Sequence, residues 1–359
     1  MGGTEIYLRS LIAAWRSIAP DRLVLFVGEE AAKTFSSDSV LEVAACPVRT
    51  ANRPARLWWE QFGLPRECRR RGIDALFNAG FTAPFAPGCP SVTVFHDLQH
   101  ALHPEWFRKA DLAAWRFFLW MSAARSTKIL CTSDKTRDDF LTTYRRAPSD
   151  AVVVEHGVDP RFRALQWSPR TDRPYVLCAS TTHPHKNFDR LLAAFARFRE
   201  FAPDHRLEIT GVRGFAAEAV ERGIAERGLG DRVVLHGWVD RERLYELFEG
   251  ATATVYPTLF EGFGLPVLES LAAGVPTACS DIEPLRSLSG GAALLFDPHS
   301  EDAVLDALRD VCLDNSLRAH LAAAGPVQAA PFTWERTARE TRRLLEDAIA
   351  SYRRSRLSK

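Results

Sequence analysis

Two glutamates, Glu261 and Glu269, are separated by seven residues in YPTLFEGFGLPVLESLAAGVPTACSD, residues 256–281. Gly262 and Gly264 give a flexible backbone just after the first carboxylate. Pro266 suits the first turn of a helix and Gly274 suits its end. The spacing therefore puts Glu261 on a loop at the carboxyl end of a strand and Glu269 about one turn into the next helix. Backbone N–H groups of Phe263, Gly264 and Leu265 would then face the crevice, an arrangement that favours a phosphate or another oxygen-rich ligand. A helix whose glutamates are merely solvated would carry the same letters, because acidic residues are common near helix N-termini.

A second cluster is STTHPHKN at 180–187, directly after the apolar run YVLCAS. Asn187 is placed to cap the helix FDRLLAAFARF. Lys186 then falls at a strand-to-helix junction, where doubly wound folds place anionic ligands. Only six of the 46 basic residues are lysine (33, 109, 128, 135, 186 and 359), which hints that a compact ammonium is wanted here. A solvated surface lysine is the bland alternative. A third cluster is SVTVFHDLQHALHPEWF, 91–107, where His96 and Asp97 project from a strand's carboxyl end. His96, His100 and His103 could be read as metal ligands, but no H-E-x-x-H pattern is present and Pro104 interrupts any helix. His156, in VVVEHGVD, ends another strand. The sequence has no G-x-x-x-x-G-K-[ST] loop, no G-x-G-x-x-G after a strand, no G-x-S-x-G elbow and no D-x-D pair. Any bound diphosphate must then be neutralised by Lys, Arg and helix dipoles, and no metal or other cofactor is expected.

The elements that must carry these groups are short β-branched runs alternating with amphipathic stretches. The runs are LVLFVG, IDALFNAG, SVTVFHD, KILCTS, AVVVEHG, YVLCAS, LEITG, RVVLHG, ATATVYP, PTACSD and GAALLFD. Between them NFDRLLAAFARFRE and DRERLYELFEGA repeat apolar residues at three and four positions. This alternation predicts α/β architecture with parallel sheets. VDPRFRALQWSPRTDRP, 158–174, lacks a clean period and reads as a linker between two such domains. The start departs from the doubly wound pattern of strand, glycine loop and helix. Gly2 and Gly3 run directly into the helical pattern TEIYLRSLIAAW, with no strand before them. A natural product that begins further upstream, or a chain of marginal stability, is the expectation.

With 359 residues, 46% of them hydrophobic, the chain is long enough for two domains. A net charge of +1 argues against a dedicated nucleic-acid binder. AAWRFFLWMSAA at 113–124 is interrupted by Arg116 and is too short to span a bilayer. No signal peptide is evident, so the protein is expected in the cytoplasm. Seven cysteines without any C-x-x-C spacing read as reduced core thiols.

Taken together these residues resemble the family-4 retaining glycosyltransferases with the two-Rossmann-domain (GT-B) fold. The likeness runs from GGTEIYLRSL through FHDLQHALHPEWF, VVVEHGVDPRF and HPHKNFDRLL to GWVDRERLYELFEGATATVYPTLFEGFGLPVLESLAAGVP. It implies two Rossmann-like domains facing a central cleft: an acceptor-binding one at 1–160, a nucleotide-sugar-binding one at 161–335, and a C-terminal helix, 336–359, returning to the first. It implies that Glu261 contacts the transferred sugar, Glu269 the ribose, Lys186 the diphosphate, and that His96 lies at the reaction centre. Gly2 and Gly3 would form the loop beneath the diphosphate. Many members carry an arginine where this chain has Ser180, so Lys186, His185 or Arg213 in ITGVRGF would have to compensate.

The resemblance implies transfer of a hexose, mannose-like by the FHDL…HPEWF wording, from a nucleotide-diphosphate sugar to a hydroxyl of a glycan or lipid-linked acceptor. Cell-surface polysaccharide assembly is the expected setting. A nucleotide-sugar 2-epimerase and a non-catalytic nucleotide-sugar-binding subunit are the alternatives. Arg53, Arg56, Arg66, Arg69, Arg70 and Arg71, with eight basic residues among the last 24, would offer contact to an anionic membrane leaflet. A merely solvated arginine-rich face would share that composition.

Overall fold

The computed structural model describes residues 3–18, 21–49 and 52–357. The chain divides into two compact units, one of residues 1–155 and 334–359, the other of residues 156–333.

In the first unit, helix α1 (Gly3–Ile18) precedes strands β1 (Leu23–Gly28) and β2 (Leu41–Cys46), which pair in parallel. A separate parallel sheet follows, made of β3 (Leu76–Asn78), β4 (Ser91–Phe95), β5 (Lys128–Cys131) and β6 (Ala151–Val153), in that order. Helix α2 (Lys109–Arg125) connects β4 to β5. All five residues of β4 are buried, as expected of a parallel strand covered on both faces. The final helix, α6 (Trp334–Leu357), packs Trp334, Ala338, Leu344 and Ala348 against Tyr7, Leu11 and Val92.

The second unit is one parallel sheet in the order β12-β11-β10-β7-β8-β9. Its strands are β7 (Tyr175–Ala179), β8 (Arg206–Thr210), β9 (Val233–Gly237), β10 (Ala253–Tyr256), β11 (Thr277–Ser280) and β12 (Leu294–Phe296). β7 and β10, side by side at the centre, are buried throughout. Helices α3 (Phe188–Phe198), α4 (Arg241–Gly250) and α5 (Leu265–Ala272) join these strands and belong to the apolar layers covering the sheet.

Three readings of the sequence change. Strand β2, LEVAAC, was not among the expected runs; its partly exposed residues, Glu42 among them, interrupt the apolar signal. Residues 158–174 are no linker. Phe162 is fully buried against Tyr245 and Phe248, with ring centroids 5.0 Å apart in each case, and Trp167 Nε1 donates to the Ala251 carbonyl at 2.8 Å. Apolar anchors outweigh the prolines and arginines that gave the stretch its loop-like composition. Third, Gly3 is the first residue of α1 instead of part of a loop, while Gly2 lies outside the described residues. All seven cysteines are free and buried. Among the described residues no helix is long and apolar enough to cross a membrane.

Candidate active site

The site of the second unit is assembled at the carboxyl ends of its two central strands. After β7 the chain runs through Ser180 to Asn187, and after β10 through Pro257 to Gly264, before each enters its helix. The two loops are tied together by backbone groups. Leu259 N–H donates to the His185 carbonyl at 2.7 Å, and Thr258 Oγ1 reaches the same oxygen at 3.1 Å. Asn187 completes the tie. It stands in the left-handed region at φ 57°, and its side-chain amide donates to the carbonyls of Pro257 at 3.0 Å and Pro298 at 2.8 Å. The expected capping bond is therefore not made, because the amide is spent on holding the two loops together.

This tie brings Lys186 to Glu261. The ammonium Nζ donates to Glu261 Oε1 at 2.5 Å, with both side chains largely shielded from solvent. Such a pair, at the mouth of two strand-to-helix turns, can exchange partners when an anion arrives, since Lys186 is a mobile point charge. The nearby His183 imidazole is held below its ordinary pKa by burial and by Lys186. Ser180 is buried at the end of β7, and its Oγ has no hydrogen-bond partner among the described residues.

Helix α5 opens at Gly264, which adopts φ 101°, and carries Pro266 in its first turn. A β-carbon at Gly264 would lie 2.4 Å from Leu285, so both conformation and space demand glycine there. Gly274, at φ 66°, follows the end of the helix. Phe263 buries its ring in the apolar core, edge-on to His156 at 4.9 Å, leaving its backbone to meet any ligand. Glu269, on the second turn, is the most perturbed carboxyl of the site. Burial raises its pKa to about 7, opposed by Arg241 and reinforced by the charge of Asp159. Arg241 stands 3.9 Å from Glu269 but only 2.6 Å from Asp159, which also accepts from the Tyr245 hydroxyl at 2.6 Å. One guanidinium thus serves two carboxylates and favours Asp159. Arg241 and Asp159 escaped the sequence reading. The signal available was the need of a mid-helix glutamate, once buried, for a counter-charge, and both residues lie in stretches already singled out, GWVDRERLYEL and VVVEHGVDPRF.

Arg213 is not drawn into this cluster. Its exposed guanidinium pairs with Glu221. The loop that carries it does close on the site, since Gly214 N–H donates to Thr182 Oγ1 at 2.8 Å.

In the first unit, His96 follows β4. Its Nε2 donates to the Ala79 carbonyl at 2.8 Å, and the rings of Tyr7 and Phe81 lie edge-on at 5.3 and 5.4 Å. Burial lowers its pKa, opposed by the bond to Ala79, so the imidazole is neutral at pH 7. The other histidines of the stretch go elsewhere: His100 meets the Tyr144 hydroxyl at 2.8 Å, and His103 meets Glu105 at 3.0 Å. Three histidines with three different partners do not form a ligand set.

Comparison with known proteins shows the family. The family model described as glycosyl transferases group 1 matches residues 164–328, which hold Lys186, Glu261 and Glu269. The model described as Glycosyltransferase Family 4 matches residues 1–162. An O-antigen chain mannosyltransferase B of Escherichia coli is 31% identical over 263 residues, covering 70% of this chain and 68% of that protein. The chain belongs to the group 1, family-4 glycosyltransferases. An MMP alpha-(1->4)-mannosyltransferase of Mycolicibacterium hassiacum is also 31% identical, over 68% of this chain and 61% of its own length. Among solved structures, a sucrose-phosphate synthase of Thermosynechococcus elongatus superposes with a TM-score of 0.78 at 18% identity, covering 98% of this chain and 94% of its own. HepE of Anabaena, solved with UDP and glucose, gives 0.73 at 17% identity, covering 96% of each chain. The fold of this glycosyltransferase is the two-Rossmann-domain, GT-B fold.

Proposed function

We propose that this glycosyltransferase moves a hexose, mannose-like, from a nucleotide-diphosphate sugar to a hydroxyl of a glycan or lipid-linked acceptor in surface polysaccharide assembly, with retention of configuration. The observation that carries the reading is the Lys186–Glu261 pair at 2.5 Å, with Glu269 on the neighbouring helix. An incoming diphosphate competes with Glu261 for the ammonium. Once Lys186 turns to the phosphates, the Glu261 carboxylate is released toward the sugar, where positive charge develops as the anomeric bond breaks. The N-terminus of α5 adds its aligned N–H groups to the neutralisation of the leaving diphosphate. Glu269 accepts from the ribose hydroxyls. Ser180, with its uncommitted hydroxyl, adds a neutral donor where related chains carry an arginine. His96 is assigned a place beside the transferred sugar, and the amino end of α1 a place beneath the diphosphate.

A double displacement needs a carboxylate nucleophile close beneath the anomeric carbon, and in this reading Glu261 stabilises the developing charge instead of filling that role. Same-face displacement, with the leaving diphosphate taking the acceptor proton, therefore suits the site better than a covalent double displacement. Catalysis then rests on positioning and on charge stabilisation of the departing phosphate. The relatives named above as mannosyltransferases support the choice of sugar. The test is turnover of GDP-, UDP- and ADP-hexoses with glycan and polyprenyl-linked acceptors, in the presence of a chelator. Product with retained anomeric configuration, formed only with an acceptor and undiminished by the chelator, is expected. Conversion of the sugar without acceptor would make the chain an epimerase, and loss of product with chelator would show a metal requirement.

The lipid-linked acceptor would be met at a membrane surface. Arg70 and Arg71, two of the expected basic contacts, are engaged by Glu67, and Arg71 also by Glu42, so charge alone is a poor anchor there. Exposed aromatic rings offer a better anchor in the same unit. Trp58, Phe62, Phe85, Phe117 and Trp120 are each more than half exposed. Trp58 and Phe62 are 5.5 Å apart, Gln61 accepts from Phe85 N–H at 2.8 Å, and Arg125 of α2 sits 4.1 Å over the Phe85 ring. Phe117 and Trp120 lie one turn apart on the same helix, 6.3 Å between centroids. Aromatic rings interleaved with arginines suit the headgroup boundary of an anionic leaflet. Binding to phosphatidylglycerol vesicles should weaken with salt and fall further in Trp58→Ser/Trp120→Ser, read by sedimentation. No binding, or binding indifferent to both changes, would remove the membrane from this reading.

A further inference from the structure

Glu60 is a carboxyl of the first unit that burial pushes above its ordinary pKa, opposed by a hydrogen bond from Thr82 and by the charge of Arg56. Its hydrogen-bond partners are neutral. Oε2 accepts from Thr82 Oγ1 at 3.0 Å and Oε1 from Gln61 Nε2 at 3.4 Å, and among the described residues Glu60 makes no ion pair. A buried carboxyl without a close counter-charge is costly, and a purely structural tie to a hydroxyl needs no ionisable group.

The backbone is shaped to bring Glu60 and its neighbour onto one loop. Leu64 N–H donates to the Trp59 carbonyl, so Trp59–Gly63 forms one widened π turn between the helical stretches Arg53–Trp58 and Leu64–Arg71. Such turns are rare and frequent at functional sites. A β-carbon on Gly63 would lie 2.6 Å from the Trp59 ring, so the turn needs glycine there. Consecutive residues of this turn then serve the loop that follows β3. Glu60 takes the Thr82 hydroxyl, while Gln61 donates to the Ala83 carbonyl at 3.2 Å and accepts from Phe85 N–H at 2.8 Å. Ser122 Oγ of α2 accepts from Ala83 N–H at 2.8 Å.

What this clamp holds is a strained turn. Phe81 stands in the left-handed region at φ 59°, and Thr82 N–H closes back onto the Gly80 carbonyl at 2.6 Å. A bulky residue at positive φ is an outlier, and it persists only where surrounding contacts over-determine it. The turn supports His96 twice. The Ala79 carbonyl accepts from His96 Nε2 at 2.8 Å, and the Phe81 ring lies edge-on to the imidazole at 5.4 Å. Phe95 and Trp115 stand at 6.1 and 6.2 Å from the same Phe81 ring. Relaxation of Phe81 to negative φ would carry its ring off His96, and the bond from Thr82 to Glu60, one residue on, opposes that rotation.

We propose that Glu60 is a positioning residue for sugar transfer: through Thr82 it holds the Phe81 turn that fixes the His96 imidazole, a role that rests on His96 standing beside the transferred sugar. Glu60 touches no reacting atom in this role. Misplacement of a reacting-site group by a fraction of its diameter is enough to slow the reaction up to ~100-fold.

The experiment uses the full chain with Glu60→Leu, which removes the acceptor, and Glu60→Gln, which keeps an oxygen for Thr82. Glu60→Leu should lower kcat about 10- to 100-fold and leave donor KM and nucleoside diphosphate affinity at the parent's values. Glu60→Gln should return kcat to within about threefold of the parent. Nitrogen NMR of labelled imidazoles supplies the readout that a merely structural role would not move, with the His96 signal identified by its loss in His96→Ala. In the parent, Nε2 carries the proton donated to Ala79; in Glu60→Leu the ring should exchange between tautomers. Thr82→Val deletes the donor and leaves the carboxyl, and it should reproduce both effects even where Glu60→Leu fails to fold. In a His96→Ala background, Thr82→Val and Glu60→Leu should cost kcat nothing further. An unaltered His96 signal in Thr82→Val, or losses that add to that of His96→Ala, overturns the proposal. Equal losses in Glu60→Leu and Glu60→Gln also overturn it, and would make the carboxyl a substrate contact. His96→Ala with the parent's kcat would overturn the place given to His96, a failure distinct from that of the tie, which the imidazole signal reads by itself.

Discussion

Glu261→Gln should lower kcat about 10- to 150-fold while nucleoside diphosphate binds as well as before, or more tightly. The magnitude follows from losing a charge-assisted interaction of ~1.5–3 kcal/mol that strengthens as the glycosidic bond breaks. The binding half follows from geometry. In the resting protein Lys186 donates to Glu261 at 2.5 Å, and in the proposed mechanism a diphosphate displaces that carboxylate. A neutral glutamine is a weaker competitor, so the ammonium is freer to take the phosphates. Steady-state kinetics at saturating donor, beside calorimetry with nucleoside diphosphate alone, separates the two effects. Lys186→Met serves as the counter-case, expected to weaken binding and to slow turnover. If Glu261→Gln left kcat unchanged and only raised KM, Glu261 would be a binding residue and the exchange of partners would be wrong.

Donor binding should depend on pH through Glu269. Burial lifts this carboxyl from its ordinary 4.5 to about 7, so near neutrality it is balanced between acid and carboxylate. The ribose hydroxyls are best gripped by the carboxylate, which only accepts hydrogen bonds. Affinity for the nucleotide sugar should therefore rise with pH, reach its plateau above pH 8, and be about tenfold weaker at pH 6, where roughly one group in eleven is ionised. The nucleotide sugar is the right probe, since its diphosphate is a diester and does not titrate here, whereas a terminal phosphate does, with a second pKa near ~6. Glu269→Gln should bind the donor about 10- to 150-fold more weakly at pH 8, the loss expected for charge-assisted bonds, and show a flat profile from pH 6 to 8.

Stability changes with the opposite sign. The folded pKa of Glu269 lies above the unfolded value, so its burial favours the native state most below pH 4.5, and that contribution fades as pH rises through 7. Without ligand, Glu269→Gln should then melt at or above the parent at pH 8. A parent whose donor affinity is flat between pH 6 and 8 would show that Glu269 does not meet the ribose as a carboxylate.

Much of this protein is legible along its chain, and the reason differs from place to place. The central strands SVTVF, YVLCA and ATVY announce themselves because parallel strands covered on both faces need apolar residues at every position. Lys186 and Glu261 were foreseeable because strand-to-helix turns at a sheet's carboxyl edge gather ligand-facing groups. Strand β2 was hidden because its partly exposed residues, Glu42 among them, blur the apolar signal. The stretch 158–174 misled because Phe162 and Trp167 are sparse anchors in a composition otherwise typical of loops.

What the chain alone determined is a set of local choices: which runs extend, that a helix carries Pro266 in its first turn and stops before Gly274, and which residue types stand ready at the turns. Contacts between residues distant in sequence required the fold. Asn187 had the letters of a helix cap, yet the approach of Pro257 and Pro298 turned its amide into a tie between loops. Glu269 had the letters of a solvated helix residue, and only packing withdrew enough water to lift its pKa to about 7 and make Arg241 and Asp159 its electrostatic neighbours. The division of the first unit's strands into one pair, β1–β2, and one sheet of four, β3 to β6, is likewise visible only in three dimensions, because strand pairing joins residues distant in sequence. Propensity and spacing act between neighbours along the chain, whereas desolvation and pairing depend on which distant groups the fold brings within a few ångströms.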